Sequence, residues 1–143
     1  MIIQSDIVYR INDSITGYPP ETGGILGSLD GETITHFVMD EIGQTPERMC
    51  SYSPNVEFLN NYIENWSQEN IAFKGIFHTH FAGVQTLSKA DEKYIHEIMD
   101  AMPEEMDALY FPIFVLPDRK LVCYKAQRND KKTLISIDQL VVI

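Results

Sequence analysis

Cysteine is scarce in this chain, and the two cysteines present are not arranged for metal or redox chemistry. Cys50 and Cys123 lie far apart in the 143 residues and match none of the paired spacings of zinc or disulfide-exchange sites. A zinc deaminase needs a P-C-x-x-C stretch for its metal ligands, and the lack of one excludes deamination. We expect a cytoplasmic protein with free thiols, in which Cys123 lies in the core and Cys50 in a loop.

Basic residues are also few. The chain has 11 Lys and Arg against 21 Asp and Glu, which gives a formal net charge of -10. A phosphate backbone or an anionic membrane would repel such a surface, so we expect neither nucleic acid nor membrane as a partner. The first ten residues, MIIQSDIVYR, lack the apolar run of a secretory signal. No stretch approaches the ~20 consecutive apolar residues that a membrane-spanning helix needs.

No internal repeat or low-complexity linker divides the chain, and we expect one domain over residues 1–143. Helical spacing and caps predict three helices, one beginning at Ser5-Asp6 and two over Val56–Gln68 and Ser88–Met102. The segment from Gln44 to Pro54 is expected to be a loop. Strands are predicted over Thr22–Leu29, Glu32–Ile42, Ile71–His80, Tyr110–Leu116 and Lys120–Gln127, with a last strand or irregular tail at Thr133–Val142. Strands and helices mix without strict βαβ alternation, which predicts an α/β fold with a mixed sheet flanked by helices.

The segment GIFHTHFAGVQTLSKAD carries a compact set of possible metal ligands in the pattern H-T-H-x7-S-x2-D. His78 and His80 end a predicted buried strand, on which side chains at i and i+2 point to the same face. Zn2+ takes imidazole nitrogens and carboxylate oxygens in a tetrahedral shell, so Asp91 can supply a third ligand from the next helix. Three protein ligands leave one position for water, which is the arrangement of catalytic zinc sites.

Simpler structural roles are open for two of these residues. Ser88 stands where a helix N-cap is expected, and its hydroxyl can accept a backbone N–H. Asp91 lies in the first helical turn, where a carboxylate interacts favourably with the helix dipole, a role that is compatible with metal binding. Thr79 points to the opposite strand face and is expected to be structural. His36 and His96 have no partners at ligand spacing and are expected not to be ligands.

The pattern, together with Glu21, resembles the JAMM motif of the JAB/MPN metallopeptidase family. In that family an upstream glutamate is followed by H-S/T-H-x7-S-x2-D, and the segment PETGGILGS is similar to the family's glutamate segment. The resemblance extends over most of the chain and is to a minimal catalytic domain of the prokaryotic type. It implies a cytidine-deaminase-like JAB/MPN fold and one Zn2+ per chain held by His78, His80 and Asp91.

The resemblance also implies an activity. Glu21 would act as general base and acid, taking a proton from the zinc-bound water and giving it to the departing amine. Ser88 would help to stabilise the oxyanion of the tetrahedral intermediate. The implied reaction is hydrolysis of a peptide or isopeptide bond after the C-terminal Gly of a ubiquitin-like or sulfur-carrier protein. Taken alone, Glu21 would be an exposed loop residue, although Gly23-Gly24 lets the backbone turn sharply after it.

Two other functions use the same residues. The chain can be a scaffold or binding domain that keeps the MPN fold without catalysis. It can also be a zinc amidohydrolase that acts on an amino acid conjugated to a carrier protein. Retention of all five motif positions favours an active enzyme over the silent scaffold, and the sequence does not separate the two hydrolytic reactions.

The loop between the second histidine and Ser88 departs from the family pattern. Phe81 and Leu87 stand where the family often has proline, which would fix φ and stiffen the loop. Gly83 adds conformational freedom instead, which predicts a mobile loop that orders around an extended Gly-rich tail. The alternative is that Phe81 and Leu87 pack inward and hold the loop as firmly as proline would.

Overall fold

The computed structural model describes residues 1–41 and 52–143, which form nine β-strands and three α-helices. In chain order they are β1 Ile2–Ile3, α1 Ser5–Ser14, β2 Gly23–Ser28, β3 Thr33–Ile34, β4 His36–Met39, α2 Val56–Gln68, β5 Ala72–His80, α3 Lys89–Ala101, β6 Ala108–Val115, β7 Lys120–Asn129, β8 Lys132–Ile137 and β9 Val141–Val142. None of the helices in this part of the chain is long and apolar enough to cross a membrane.

Six strands form the main sheet in the order β4-β2-β5-β6-β7-β8, and three short strands form a second sheet in the order β3-β1-β9. Within the main sheet β5 pairs parallel with β6, whereas the other neighbouring strands pair antiparallel. The main sheet is therefore mixed, as the sequence predicts. Its central strand β5 is the one that carries His78 and His80.

Helices cover both faces of the main sheet. On β2, Ile25 and Leu26 belong to different core clusters, because successive side chains of a strand point to opposite faces. Helix α1 packs in the cluster of Leu26, and helices α2 and α3 pack in the cluster of Ile25. The predicted α/β architecture with a mixed sheet flanked by helices is confirmed.

The strongest local patterns gave the most accurate element bounds. Helix α2 has the predicted bounds, and α3 is one residue shorter at each end because Ser88 and Met102 are its caps. Helix α1 was predicted to be capped by Ser5-Asp6, but its N-cap is Gln4, whose side chain makes no capping hydrogen bond.

The predicted return strand after the first turn is split at Thr35 into β3 and β4. Asp30 forms the turn, and its Oδ1 accepts the backbone N–H groups of Glu32 and Thr33 at 2.8 and 2.7 Å. Strand β3 then pairs with β1 and β4 with β2, so the chain passes from one sheet to the other. The end of that predicted strand, Cys50 and most of the predicted loop lie outside the described residues. The predicted tail contains two separate strands, β8 and β9.

Gly75 allows β5 and β6 to approach each other closely. It has φ +149°, and a Cβ built on it would lie 1.7 Å from the carbonyl oxygen of Tyr110 on β6. Any other residue would force these two strands apart. The strand that carries both histidines therefore has its position fixed by backbone contact.

Gly75→Ala should lower the free energy of unfolding by at least about 2 kcal/mol, because it combines a backbone clash with an unfavourable φ. Gly17→Ala is the matched control, since a Cβ at Gly17 meets nothing within 4 Å, and its effect should stay within about 0.5 kcal/mol. Urea denaturation measures both values. Equal stability of the two variants would contradict the close approach.

Candidate metal centre

His78, His80 and Asp91 meet where β5 ends and α3 begins. The two histidine Nε2 atoms lie 2.9 Å apart. Asp91 Oδ1 lies 3.3 Å from Nε2 of His78, and Asp91 Oδ2 lies 3.0 Å from Nε2 of His80. Ligand atoms around a tetrahedral Zn2+, at about 2.0–2.1 Å from the metal, are about 3.3 Å from one another. The separations in the cluster are therefore close to those of a zinc ligand set.

The burial of these side chains favours binding of a cation between them. The side chains of His78 and Asp91 are 0% and 1% exposed. Although His78 Nε2 lies 3.3 Å away, Asp91 Oδ1 makes no hydrogen bond within the described residues. A buried carboxylate oxygen without a partner is costly, and a metal ion between the three side chains would satisfy it. The residues present therefore fit a divalent cation such as Zn2+.

The first turn of α3 holds Asp91 in place. The Ser88 hydroxyl accepts the Asp91 N–H at 3.0 Å, and Asp91 Oδ2 accepts the Ser88 N–H at 2.9 Å. These reciprocal bonds form a capping box, which satisfies two backbone donors at the helix start. The capping role considered for Ser88 is thus present, and it fixes the carboxylate that faces the histidines.

Hydrogen bonds to the Nδ1 atoms orient both imidazole rings. His80 Nδ1 lies 3.1 Å from the carbonyl oxygen of Val84, and a carbonyl only accepts, so Nδ1 carries a proton, and in the neutral ring Nε2 has the free lone pair. His78 Nδ1 lies 3.0 Å from the Tyr94 hydroxyl, which can accept the Nδ1 proton when Nε2 binds a metal. Such outer partners set the tautomer and orientation of metal-binding histidines.

Glu21 lies beside the two histidines at the entrance to β2. Its carboxylate and the ring nitrogens of His78 and His80 all lie within 4.8 Å of one another. Glu21 Oε2 accepts the backbone N–H of Tyr52 at 2.7 Å. Thr22, the residue after Glu21, is hydrogen-bonded to β5. Its N–H donates at 2.9 Å to the hydroxyl of Thr79, whose side chain lies on the opposite face of β5 from the two histidines. Thr79 thus has the structural position expected of it.

The pKa values of the two carboxyl groups, Glu21 and Asp91, are shifted in opposite directions. Burial, with the nearby Asp91 charge, raises the pKa of Glu21 to about 7, although His80 and the Tyr52 N–H oppose this change. Burial also acts to raise the pKa of Asp91, but the His78 and His80 rings beside its two oxygens outweigh burial and hold that pKa well below its usual range. Asp91 is therefore a permanent anion, whereas Glu21 can accept and release a proton near neutral pH.

The pKa values of the two histidines are shifted in opposite directions. Burial lowers the pKa of His78, because a charged imidazole is disfavoured away from water. Burial acts in the same direction on His80, but the hydrogen bond and charge of Asp91, with the charge of Glu21, raise its pKa overall. The neutral form of His78 is the one that can bind a metal.

The loop that follows His80 is packed at its two ends, whereas residues 82–86 between them are exposed. Phe81 and Leu87 are partly buried against the two core clusters, one on each face of the sheet. The Gly83 N–H donates to the carbonyl of Leu116 at 2.9 Å, and the Val84 N–H donates to that of Phe81 at 3.1 Å. These contacts favour the alternative in which Phe81 and Leu87 hold the loop in place of proline.

The remaining histidines and the described cysteine lie apart from the cluster. His36 Nδ1 contacts the Thr35 hydroxyl at 2.8 Å, and His96 is exposed on α3. Cys123 is buried in the core as predicted, and burial raises the pKa of its thiol to about 12. None of these residues adds a ligand to the cluster.

Two residues that contact the site, Tyr94 and Tyr52, and a third that contacts Tyr52, Asp40, were not singled out from the sequence. Tyr94 follows Asp91 by three residues, so it shares a helix face with Asp91, and that spacing could have indicated it. Tyr52 lies in the predicted loop and Asp40 in the predicted strand Glu32–Ile42, and no local signal in the sequence places either of them near His78. Their positions depend on the tertiary fold.

Comparisons with known proteins identify the fold. The chain is similar to the solved structure of protein DSY2949 from Desulfitobacterium hafniense, with a TM-score of 0.67 and 16% identity over 100% of this chain and 93% of that one. It is similar to AF2198, a JAB1/MPN domain protein from Archaeoglobus fulgidus, with a TM-score of 0.58 and 14% identity over 100% and 99% of the two chains. A protein from Salinibacter ruber gives a TM-score of 0.58 and 15% identity over 100% and 92%.

No protein-family model and no curated protein matches this chain. At the low identities of the structural neighbours, the likeness shows the fold alone. The chain therefore has an MPN-like fold, and within that fold Glu21, His78 and His80 lie close enough together to hold a metal.

We expect one Zn2+ per chain with near-tetrahedral geometry and His–metal distances of about 2.0–2.1 Å. His78→Ala or His80→Ala should abolish tight binding, whereas His96→Ala, on the exposed face of α3, should not. Because imidazole must be neutral to bind metal and the pKa of His80 is raised above its usual value of about 6.5, affinity should begin to fall with decreasing pH before 6.5 is reached. Metal analysis and competition with a chelator measure stoichiometry and affinity. Equal zinc loading of all three variants would contradict this ligand set.

Proposed function

We propose that this chain is a zinc-dependent peptidase of the JAMM class. The observation that carries the proposal is the convergence of His78, His80 and Asp91 at a buried point beside the Glu21 carboxylate. Similarity of fold to a JAB1/MPN domain protein supports it. The proposed reaction is hydrolysis of the peptide or isopeptide bond after the C-terminal Gly of a ubiquitin-like or sulfur-carrier protein, a substrate class that rests on the motif resemblance.

His78, His80 and Asp91 would hold the metal. A Zn2+ bound there would supply Lewis-acid polarisation of the scissile carbonyl and lower the pKa of water to about 7. The Val84 carbonyl and the Tyr94 hydroxyl keep the histidine rings turned toward the shared point. The chain's own contribution at this step is a fixed geometry, which needs little reorganisation during the reaction.

Glu21 is suited to move the proton. Its carboxylate lies beside the metal-binding groups, and its pKa of about 7, raised by burial, allows both proton uptake and release near neutrality. In the proposed reaction Glu21 takes a proton from the attacking water and gives it to the departing amine. The Tyr52 N–H donates to one oxygen of the carboxylate and would hold that oxygen during both transfers.

Ser88 can combine its two roles. Its oxygen accepts the Asp91 N–H, and a hydroxyl that accepts one hydrogen bond still has its own proton to donate. That proton is available for the oxyanion that develops on the substrate carbonyl. Helix capping and oxyanion stabilisation are therefore compatible functions of one side chain.

Incubation with protein fusions that end in Gly-Gly, with and without a chelator, tests the reaction together with its metal requirement. Cleavage after Gly-Gly that stops on chelation and returns with Zn2+ is the expected result. A zinc-loaded protein that cleaves neither these fusions nor linear peptides indicates the silent scaffold. Cleavage confined to a carrier protein loaded with a single amino acid indicates the amidohydrolase.

Glu21→Gln should leave zinc bound and reduce turnover by about 10²-fold or more, because the substitution keeps the shape and removes the base. Zinc content and the cleavage rate of the Gly-Gly fusion measure the two effects separately. Glu32→Gln, at an exposed position, is the control. Full activity of Glu21→Gln would refute the assignment, and loss of its zinc would make Glu21 a ligand instead.

Ser88→Asn separates the two roles of Ser88. Asn can cap a helix, so α3 and its metal should persist, whereas loss of the hydroxyl donor should lower turnover by about 10²-fold. Ser88→Ala loses both functions and should also lower the free energy of unfolding by about 1 kcal/mol. Thermal unfolding, zinc content and cleavage rate give the comparison. A stable, zinc-loaded and fully active Asn variant would leave Ser88 only its capping role.

A further inference from the structure

We propose that Tyr52 and Asp40 are positioning residues, which together aim the Glu21 carboxylate at the two histidines. The inference rests on the proposed function for its effect on turnover. The hydrogen bonds that link Glu21, Tyr52 and Asp40 can be tested without metal or substrate. Neither residue belongs to the motif pattern H-T-H-x7-S-x2-D or to the segment around Glu21.

Tyr52 contacts the candidate metal centre in two ways. Its backbone N–H donates to Glu21 Oε2 at 2.7 Å. Its ring stacks on that of His78, with centroids 5.7 Å apart and planes inclined by 14°. One residue thus contacts both the proposed base and a proposed metal ligand, and the position of its backbone decides where the Glu21 carboxylate is held.

Asp40 fixes the position of Tyr52. The Tyr52 hydroxyl donates to Asp40 Oδ2 at 2.6 Å, and the same oxygen accepts the N–H of Asn55 at 2.9 Å. Asp40 is only 5% exposed, so its buried oxygen needs such donors. The Tyr52 ring is therefore held at its far end by a buried hydrogen bond.

Asp40 is in turn hydrogen-bonded to the start of β2, the strand that follows Glu21. The Asp40 N–H donates to the carbonyl of Gly23 at 2.8 Å, two residues after Glu21. Contacts thus run from β2 through Asp40 and Tyr52 to the Glu21 side chain. Because Gly23 and Glu21, at the two ends of this series of contacts, are only two residues apart, the Glu21 carboxylate has little freedom to turn away from His78.

Gly23 provides the space that this arrangement needs. A Cβ at Gly23 would lie 2.6 Å from the Tyr52 ring and 2.5 Å from the carbonyl oxygen of Phe77. The glycine thus allows the ring to lie flat against β2 as well as letting the backbone turn. The Gly-Gly pair after Glu21 and the aromatic ring opposite it act as one unit.

Tyr52→Phe is the sharpest test, because it keeps the ring and the backbone N–H and removes the hydroxyl that donates to Asp40. The control is Tyr9→Phe, whose side chain is 70% exposed on α1. The first readout is hydrogen exchange of the residue 52 amide, which needs neither metal nor substrate. We expect Tyr52→Phe to speed exchange there by about 10-fold, since its hydrogen bond to Glu21 opens more often.

The second readout is activity of the zinc-loaded protein on the Gly-Gly fusion. Misplacement of a catalytic group by about 1 Å can cost about 10²-fold, so Tyr52→Phe should lower kcat by about 10-fold or more. Zinc content and KM should stay as in the wild type. The same substitution should have no further effect on kcat in a Glu21→Gln background, because the group that it positions is already inactive.

Asp40→Asn keeps an acceptor oxygen for the Tyr52 hydroxyl and serves if Tyr52→Phe does not fold. Its amide exchange and kcat should lie between those of the wild type and of Tyr52→Phe. Unchanged exchange at residue 52, full kcat, or loss of zinc from a folded Tyr52→Phe protein would overturn the proposal. If the wild type cleaves nothing, the proposed function fails, and the exchange measurement alone still decides whether Tyr52 holds Glu21.

Discussion

The antiparallel pairing of β2 with β5 is the constraint on which the rest of the site depends. Gly23 pairs with His78, and the hydrogen bonds between Thr22 and Thr79 extend that register by one residue. Glu21 therefore lies level with His80, and directly paired residues share a face of the sheet. A shift of one residue would turn Glu21 to the other face. The contact between proposed base and proposed ligands is thus set by strand register.

Helix α3, which packs on one face of the main sheet, supplies the third residue of the site, Asp91. Its capping box holds Asp91 against the strand end, so that one carboxylate both caps the helix and faces the two imidazoles. The hydrogen bonds that lower the pKa of Asp91 also keep it anionic beside Glu21. That fixed negative charge is one cause of the raised pKa of Glu21. Helix capping, the proposed metal binding and the proposed proton transfer would therefore be coupled through a single side chain.

Local sequence patterns predicted the parts of this protein that depend on local geometry. The bounds of α2 follow from helical spacing, and the shared face of His78 and His80 follows from the period of a strand. Ser88 at a helix start followed from its residue type and its spacing to Asp91. The split of the return strand at Thr35 was missed, because β3 pairs with β1, which is remote in sequence.

The sequence by itself therefore determined the three motif residues that face one another, the helix that carries the third, and the mixed α/β class. Only the tertiary structure decided how Glu21 is held, because Tyr52 and Asp40 reach it through contacts between segments that no period connects. It also decided that Phe81 and Leu87 pack on opposite core clusters. The physical reason is that register and layer packing join distant segments, whereas spacing along the chain reports only neighbours on one helix or strand.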